Sequence, residues 1–202
     1  MSTKISAADV KALRDQTGAG MMDCKSALAE AEGDMERAAE LLRVKGQASA
    51  AKRSDRGTSE GVVASYIHAN KKVGAMVEVQ CETDFVARNE DFSEFAYEVA
   101  MHVAAAAPKV VSTEEIPEEE VAEERRLFLE KAREDGKPEN VVEKIVEGQV
   151  AKWAREIALL EQVHVNGDKH DGKTIEQMRE ELAAKVGENV VISRFAYFRI
   201  GE

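Results

Sequence analysis

Residues 61–89 decide the fold that this sequence predicts, and they read GVVASYIHANKKVGAMVEVQCETDFVARN. A period of two runs through Val63, Ser65 and Ile67 and again through alternate apolar residues from Val73 to Cys81, which is the period of a half-buried strand. Asn70-Lys71-Lys72 separates the two runs and is typical of a chain reversal. The pattern therefore predicts a β-hairpin whose second strand delivers the chain to residues 81–89.

An acid and a large aromatic, Asp84 and Phe85, stand where the second strand ends and a helical pattern begins. A buried Phe side chain is worth about 1.5 to 3 kcal/mol, yet a neighbouring carboxylate resists burial without a partner. Phe85 is either a core residue beside a helix-capping Asp84 or a side chain that this junction presents outward. The residues by themselves favour the first interpretation.

Helical and strand patterns alternate after this junction. The apolar residues Phe92, Phe95, Val99 and Val103 mark one face of a helix that Pro108 ends. The further predicted elements are an acidic amphipathic helix within 113–135, an apolar helix from Pro138 to Leu160 that includes Trp153 as a core residue, a short strand at 163–165, a helix ending near Lys185 and a final strand at 190–200. The fold class is therefore α+β, a small antiparallel sheet with helices on one side.

Three short helices are predicted before the hairpin. Ser6 and Asp9 have the spacing of a capping box, and glycines separate the first helix from the second and the second from the third, which should end at Gly46. Such a three-helix bundle resembles the ubiquitin-associated type of helical domain and is typical of a docking module.

The predicted organisation has three consecutive segments. Residues 1–46 form the docking module, and residues 61–202 form the α+β core domain. Residues 47–60 are rich in Ala, Ser and Gly and lack an apolar period, so they are predicted to be a linker, and a helical start of this linker stays open.

Met21 and Met22 follow directly after the turn between the first two helices. So small a core has room for one of them at most, and thioethers suit protein-binding surfaces as well as cores. The residues leave core packing and partner contact equally open.

The composition excludes several classes of protein. The 28 basic and 39 acidic residues give a net charge of −11, which repels nucleic-acid phosphates and argues against direct nucleic-acid binding. No apolar run approaches the roughly 20 residues of a membrane span, and no secretory signal is evident. We therefore expect a soluble cytoplasmic protein in which Cys24 and Cys81 are buried, reduced thiols.

Catalytic and ligand-binding motifs are missing. The sequence has no GxSxG, CxxC or glycine-rich strand-to-helix loop, and TGAG at residues 17–20 follows a helix rather than a strand, so we expect no bound nucleotide. The histidines, His68, His102, His164 and His170, occupy unrelated segments without metal-ligand spacing. We expect no enzymatic activity, no cofactor and no metal site.

Two longer motifs resemble signatures of a known family. Residues 17–28 read TGAGMMDCKSAL and residues 82–92 read ETDFVARNEDF, and both are similar to signatures of elongation factor Ts, the exchange factor of bacterial and organellar translation. The resemblance continues through KPENVVEKIVEGQV at 137–150 and KVGENVVISRF at 185–195, so it covers nearly the whole chain.

The resemblance implies a function and a set of contact residues. Members of the family bind the GTPase elongation factor Tu and speed the release of its GDP, staying bound until GTP enters. Residues Thr83, Asp84, Phe85 and Val86 match the segment credited with displacing the partner's Mg²⁺. The positions that match other partner contacts are Arg14, Met21, Met22, Lys25, Val186 and Gly187.

The chain departs from longer relatives, which carry two related core halves with a coiled-coil insertion between them. It has one half, and we therefore predict a homodimer. Two other functions stay open at this point: an adaptor that binds proteins through its ubiquitin-associated-type module without exchange activity, and an enzyme that uses Asp84 as a base.

Overall fold

The computed structural model describes residues 5–201, with side chains described throughout except at positions 47, 50, 51, 139 and 140. In chain order the helices and strands are α1 Ala7–Thr17, α2 Met21–Glu30, α3 Met35–Ala51, β1 Glu60–Ile67, β2 Val73–Cys81, α4 Asp84–Ala87, α5 Glu90–Ala106, α6 Glu118–Glu134, α7 Glu139–Ile157, α8 Ile175–Val186 and β3 Val191–Arg199. Short 3-10 turns lie at Thr113–Glu115 and Leu159–Glu161. The predicted α+β class is confirmed.

The first three helices pack around a small apolar core of their own. Its fully buried members include Leu13 from α1 and Leu28 from α2, and Leu42 from α3 completes it. The predicted capping box is present at the start of α1, where the Asp9 amide donates to the Ser6 hydroxyl at 3.1 Å and the Ser6 amide donates to the Asp9 carboxylate at 3.0 Å. The three predicted helices and the capping box are thus present.

Helix α3 continues past its predicted end at Gly46 and reaches Ala51. The prediction took Gly46 as a helix stop, but this glycine has a packing role: a Cβ added to it would lie 3.3 Å from the Cβ of Ala184 on α8. A residue without a side chain suits this close approach, because an added Cβ would crowd Ala184. The first residues of the predicted linker are therefore helical.

The sheet has the strand order β1-β2-β3. The His68 amide donates to the Val73 carbonyl at 2.9 Å and closes the predicted hairpin, and the Ile200 amide donates to the Lys72 carbonyl at 2.9 Å. Alternate residues of β2, namely Ala75, Val77, Val79 and Cys81, are buried. One face of the middle strand therefore belongs to the core.

Strand β1 was predicted correctly as a strand, but Val63 and Ile67 do not face the core. Val63 and Ile67 are exposed, because the hairpin register places Ser65 opposite the exposed Met76 of β2. In an antiparallel pair, opposite residues point to the same face. Val63, Ile67 and Met76 therefore share the face of the sheet that the chain leaves open.

The chain forms two compact units that do not follow the predicted segments. The first unit consists of residues 1–62, 79–95 and 177–191, and the second of residues 63–78, 96–176 and 192–202. The predicted division into the consecutive segments 1–46, 47–60 and 61–202 stays a prediction. Residues 1–4 and 202, at the two ends of these segments, lie outside the described range.

Within the second unit, α6 and α7 pack against each other around Ala132, Val142 and Val146. Trp153 on α7 is only half-buried, so its prediction as a core residue is wrong. The segment predicted as a strand at 163–165 forms only an isolated bridge, between Val163 and Thr174.

Both cysteines are free and buried, as predicted. Across residues 5–201, none of the helices combines the length and the apolar character that crossing a bilayer requires.

Candidate protein-interaction site

The short helix α4 presents Phe85 to solvent. Phe85 is 84% exposed, the largest exposed fraction among the large apolar side chains of the described chain, whereas Ala87 two residues later is buried. The interpretation of Phe85 as a core residue is therefore wrong. The cap at this junction is Thr83, whose side chain accepts from the Val86 amide at 3.5 Å, rather than Asp84.

Glu188 fixes the turn from β2 into α4. Its carboxylate accepts three hydrogen bonds, from the Glu82 and Thr83 amides at 3.0 Å each and from the Thr83 hydroxyl at 2.6 Å. Hydrogen bonds to an ionised acceptor are stronger than those between neutral groups. One side chain that follows α8 thus holds the backbone that carries Phe85.

A second set of contacts braces the same turn. The Asn189 amide donates to the Glu82 carboxylate at 2.7 Å, and the Asn189 side-chain amide donates to the carbonyls of Ser54 and Arg56 at 3.1 and 2.9 Å. Asn189 is buried, so its polar atoms need such partners. The turn is tied both to the segment before β1 and to the segment after α8.

Cys81 ends β2 beneath this turn. Its buried thiol donates to the Thr83 carbonyl at 3.2 Å, and burial, helped by the charge of Glu188, raises the pKa of the Cys81 thiol. The thiol is therefore protonated at neutral pH and serves packing rather than chemistry.

Asp84 forms an ion pair with Arg88 at 3.0 Å. About half of the Asp84 side chain and most of the Arg88 side chain are exposed, and exposed i,i+4 pairs contribute little to stability. The Asp84 carboxylate can therefore leave Arg88 for another hydrogen-bond donor at small cost.

Met21 and Met22 lie in the first turn of α2 and are 47% and 75% exposed. The exposure excludes the interpretation of Met22 as a core residue. Met21 is partly exposed on the surface of the bundle. Lys25, one turn later on α2, and Arg14, in the last turn of α1, are also exposed. The bundle thus carries two flexible apolar side chains and two cations on its surface.

Lys185, near the end of α8, joins the segments that carry the candidate residues. Its ammonium lies 2.7 Å from the Asp91 carboxylate at the start of α5. Its aliphatic stem packs at Gly18, where an added Cβ would lie 3.4 Å from the Lys185 Cδ. Gly18 has φ +68°, which suits glycine in the left-handed turn between α1 and α2.

Val186 and Gly187 end α8 directly before Glu188. Val186 is half-buried, and Gly187 is exposed with φ +76°. The left-handed glycine turns the chain out of the helix. All the predicted contact residues, from Arg14 to Gly187, fall within the first compact unit.

Comparison with known proteins identifies the family. The family model described as elongation factor TS matches residues 10–171. This chain belongs to the elongation factor Ts family. It is 56% identical to "Elongation factor Ts" from Solidesulfovibrio magneticus over 198 residues, covering 98% of each chain. It is 50% identical to "Elongation factor Ts" from Thermosipho melanesiensis, with 98% of this chain and all of the relative covered, and 53% identical to that of Geobacter metallireducens, with 98% and 90% covered.

Membership of the elongation factor Ts family makes this chain a translation elongation factor. The resemblance that the two sequence motifs indicated is confirmed. Sequence reasoning missed Glu188, Asn189 and Lys185. They lie within the stretch KVGENVVISRF at 185–195 but have no catalytic or binding pattern of their own. The available signal for Glu188 and Asn189 was their placement between a helix end and a strand, where polar side chains commonly bond to exposed backbone groups.

Proposed function

We propose that this chain binds the GDP form of elongation factor Tu and promotes GDP release by inserting Asp84 and Phe85 near the partner's Mg²⁺ and phosphate site. It then stays bound until GTP enters. The chain itself binds neither nucleotide nor nucleic acid, and it works in the cytoplasm, where translation takes place.

The exposure of Phe85 on a braced turn is the observation that carries this proposal. Burying a Phe side chain contributes about 1.5 to 3 kcal/mol, and here that contribution is not used within the chain, since Phe85 is 84% exposed. The Glu188 contacts preorganise the turn, so little conformational entropy is lost when the ring enters a partner. A fixed, exposed aromatic is the kind of side chain that anchors protein interfaces.

The surface of the helical bundle supports a docking role. Met21 and Met22 offer adaptable apolar contacts, and Arg14 and Lys25 offer positive charges to an acidic partner surface. Binding energy from this surface would be available to offset the cost of distorting the nucleotide site.

Release of GDP follows from linkage rather than from covalent chemistry. A factor that binds the nucleotide-free partner more tightly than the GDP-bound partner must weaken GDP binding by the same factor. Each 1.4 kcal/mol of difference in binding free energy weakens GDP binding about tenfold. Burial of the Phe85 ring alone could therefore weaken GDP binding by roughly tenfold to a hundredfold. The exposed Asp84 carboxylate would accept hydrogen bonds from the partner and compete for the groups around Mg²⁺.

Stopped-flow release of fluorescent GDP from elongation factor Tu tests this role. We expect Asp84→Ala and Phe85→Ala to bind the partner. Their acceleration of GDP release should be lower than that of wild type by about tenfold or more. Leu127→Ala is the matched control, because it also removes an exposed apolar side chain, on α6. It should release GDP at the wild-type rate.

The same experiment separates the competing functions. Unchanged rates in both variants would rule out the Asp84-Phe85 insertion. Tight binding of the partner by wild type with no acceleration of GDP release would favour an adaptor without exchange activity.

The predicted homodimer is also part of this proposal, and the open face of the sheet supports it. Phe198 and Ile200 at the end of β3 are exposed together with Val63, Ile67 and Met76. Arg194 and Glu78 form an ion pair at 2.7 Å across β3 and β2, and the alternation of side chains puts Phe198 on the same face as Arg194. An apolar patch of this kind on one sheet face marks an interaction surface, and a second copy offers a matching one.

Light scattering coupled to gel filtration tests the dimer. We expect twice the chain mass for wild type at micromolar concentration and the chain mass for Phe198→Glu, because a charge buried without a partner is costly. Leu127→Glu serves as the control for an exposed charge elsewhere and should stay dimeric. A monomeric wild type would remove the homodimer from the proposal without affecting exchange.

A further inference from the structure

Three histidines that are far apart in the sequence meet in the second compact unit beside one buried acid. His102 and Glu98 lie on α5, while His164 and His170 lie on the segment between the turn at 159–161 and α8. The His164 ring stacks on His102 with centroids 5.4 Å apart and meets His170 edge-on at 4.3 Å. The sequence places these histidines in separate segments, and the fold brings three of them together.

Possible metal-ligating atoms of Glu98, His164 and His170 lie close together. The Glu98 Oε2 atom lies 3.4 Å from His164 Nε2 and 3.3 Å from His170 Nε2, and all three donor atoms lie within 4.8 Å of one another. Zinc–ligand bonds of 2.0 to 2.1 Å in a tetrahedron place neighbouring ligand atoms about 3.3 to 3.4 Å apart. The two separations from Glu98 Oε2 match those edges, and the third, between the two imidazole nitrogens, is no more than 4.8 Å.

We propose that Glu98, His164 and His170 form a binding site for a divalent transition-metal ion of the zinc type. Two imidazole nitrogens and one carboxylate oxygen suit Zn²⁺ rather than Mg²⁺ or Ca²⁺, which take oxygen ligands. Glu98 and His164 are buried, and His170 is half-buried, so the ion enters on the His170 side. The fourth ligand is water.

Three contacts compete with the ion. The His164 Nε2 atom donates to the backbone carbonyl of Glu98 at 3.2 Å, and an ion bound at Nε2 would replace this bond. Lys169 places its ammonium 2.6 Å from Glu98 Oε1, but its side chain is 44% exposed and can move into solvent. The His164 Nδ1 atom accepts from the Asn166 amide at 3.1 Å, so its proton is on Nε2. Metal binding at Nε2 moves that proton to Nδ1 and breaks the bond to Asn166, which weakens binding by about tenfold to a hundredfold.

The ion would connect α5 to the segment that contains His164 and His170. At free Zn²⁺ a hundredfold above its dissociation constant, a single site present only in the folded state raises Tm by roughly 5 to 10 °C for a chain of this size.

Calorimetric titration of the tag-free, full-length protein with ZnCl₂ tests the site. We expect one Zn²⁺ per chain with a dissociation constant on the order of 1 μM. His170→Ala and Glu98→Gln should each weaken binding by about a hundredfold. His68→Ala is the matched control, because His68 is exposed and its ring contacts the Tyr66 hydroxyl instead, and it should bind like wild type.

Amide NMR of the same samples gives a second readout. Zn²⁺ should shift the Asn166 amide resonance in wild type and in His68→Ala. The proposal is overturned by the absence of saturable binding to wild type below about 100 μM. Binding that persists in Glu98→Gln would equally overturn it, and this variant keeps the shape of the side chain in case His170→Ala fails to fold. Binding that leaves the Asn166 amide resonance unchanged would also overturn it.

Discussion

Phe85 and Phe92 belong to the same sequence motif and have opposite environments. Phe85 on α4 is 84% exposed, whereas Phe92 on α5 has no exposed surface. The burial energy of Phe92 stabilises this fold, and that of Phe85 is not used within the chain. The comparison separates an aromatic residue that holds the fold together from one that does not.

The two helices explain the difference. Helix α5 has 17 residues and an apolar face of which Phe92, Phe95, Val99 and Val103 are all buried. Helix α4 is a single turn, too short to bury a face of its own. It is held by polar contacts to Glu188, so its aromatic side chain is not needed for its stability.

The largest effect should come from Phe92→Ala. Removing a fully buried Phe side chain leaves a cavity and lowers the free energy of unfolding by about 3 to 5 kcal/mol. Urea unfolding followed by circular dichroism measures this loss. A change below about 1 kcal/mol would show that the surrounding side chains collapse into the space and would weaken the comparison.

Glu188→Ala should have an intermediate effect. It removes the acceptor of two amides and one hydroxyl at the turn that carries Phe85, and we expect a loss of about 1 to 2 kcal/mol in the free energy of unfolding. Hydrogen exchange at the Glu82 and Thr83 amides should quicken. Glu188→Gln keeps one carbonyl oxygen and should fall between wild type and Glu188→Ala, and equal exchange in all three proteins would show that Glu188 does not hold the turn.

The smallest effect on stability should come from Phe85→Ala, the matched partner of Phe92→Ala. Because the side chain is exposed, the free energy of unfolding should change by no more than about 0.5 kcal/mol. The same urea titration measures it. Destabilisation comparable to that of Phe92→Ala would show that Phe85 is a core residue after all.

Much of the fold was readable from local sequence. The two-residue period of β2, the apolar face of α5 and the Ser6 and Asp9 capping box all predicted elements that are present. These signals are reliable because they depend on residues within a few positions of one another. The prediction that α3 ends at Gly46 was wrong because a local rule does not include Ala184, the neighbour of Gly46 that is remote in the sequence.

The candidate site was readable only in part. The motifs selected Asp84 and Phe85, but physical reasoning from the residues favoured burial of Phe85. No local pattern shows that Glu188 bonds to Thr83, or that Glu98 meets His164 and His170. Glu188 lies 105 residues after Thr83, and His164 and His170 lie 66 and 72 residues after Glu98.

The sequence by itself determined the helices, the hairpin and the family, because periodicity, capping and motif order are written along the chain. The tertiary structure alone decided which of two phenylalanines is buried, which side chains brace the turn and which histidines assemble. Burial and polar pairing depend on what a remote segment places opposite a residue, and that information exists only once the chain has folded.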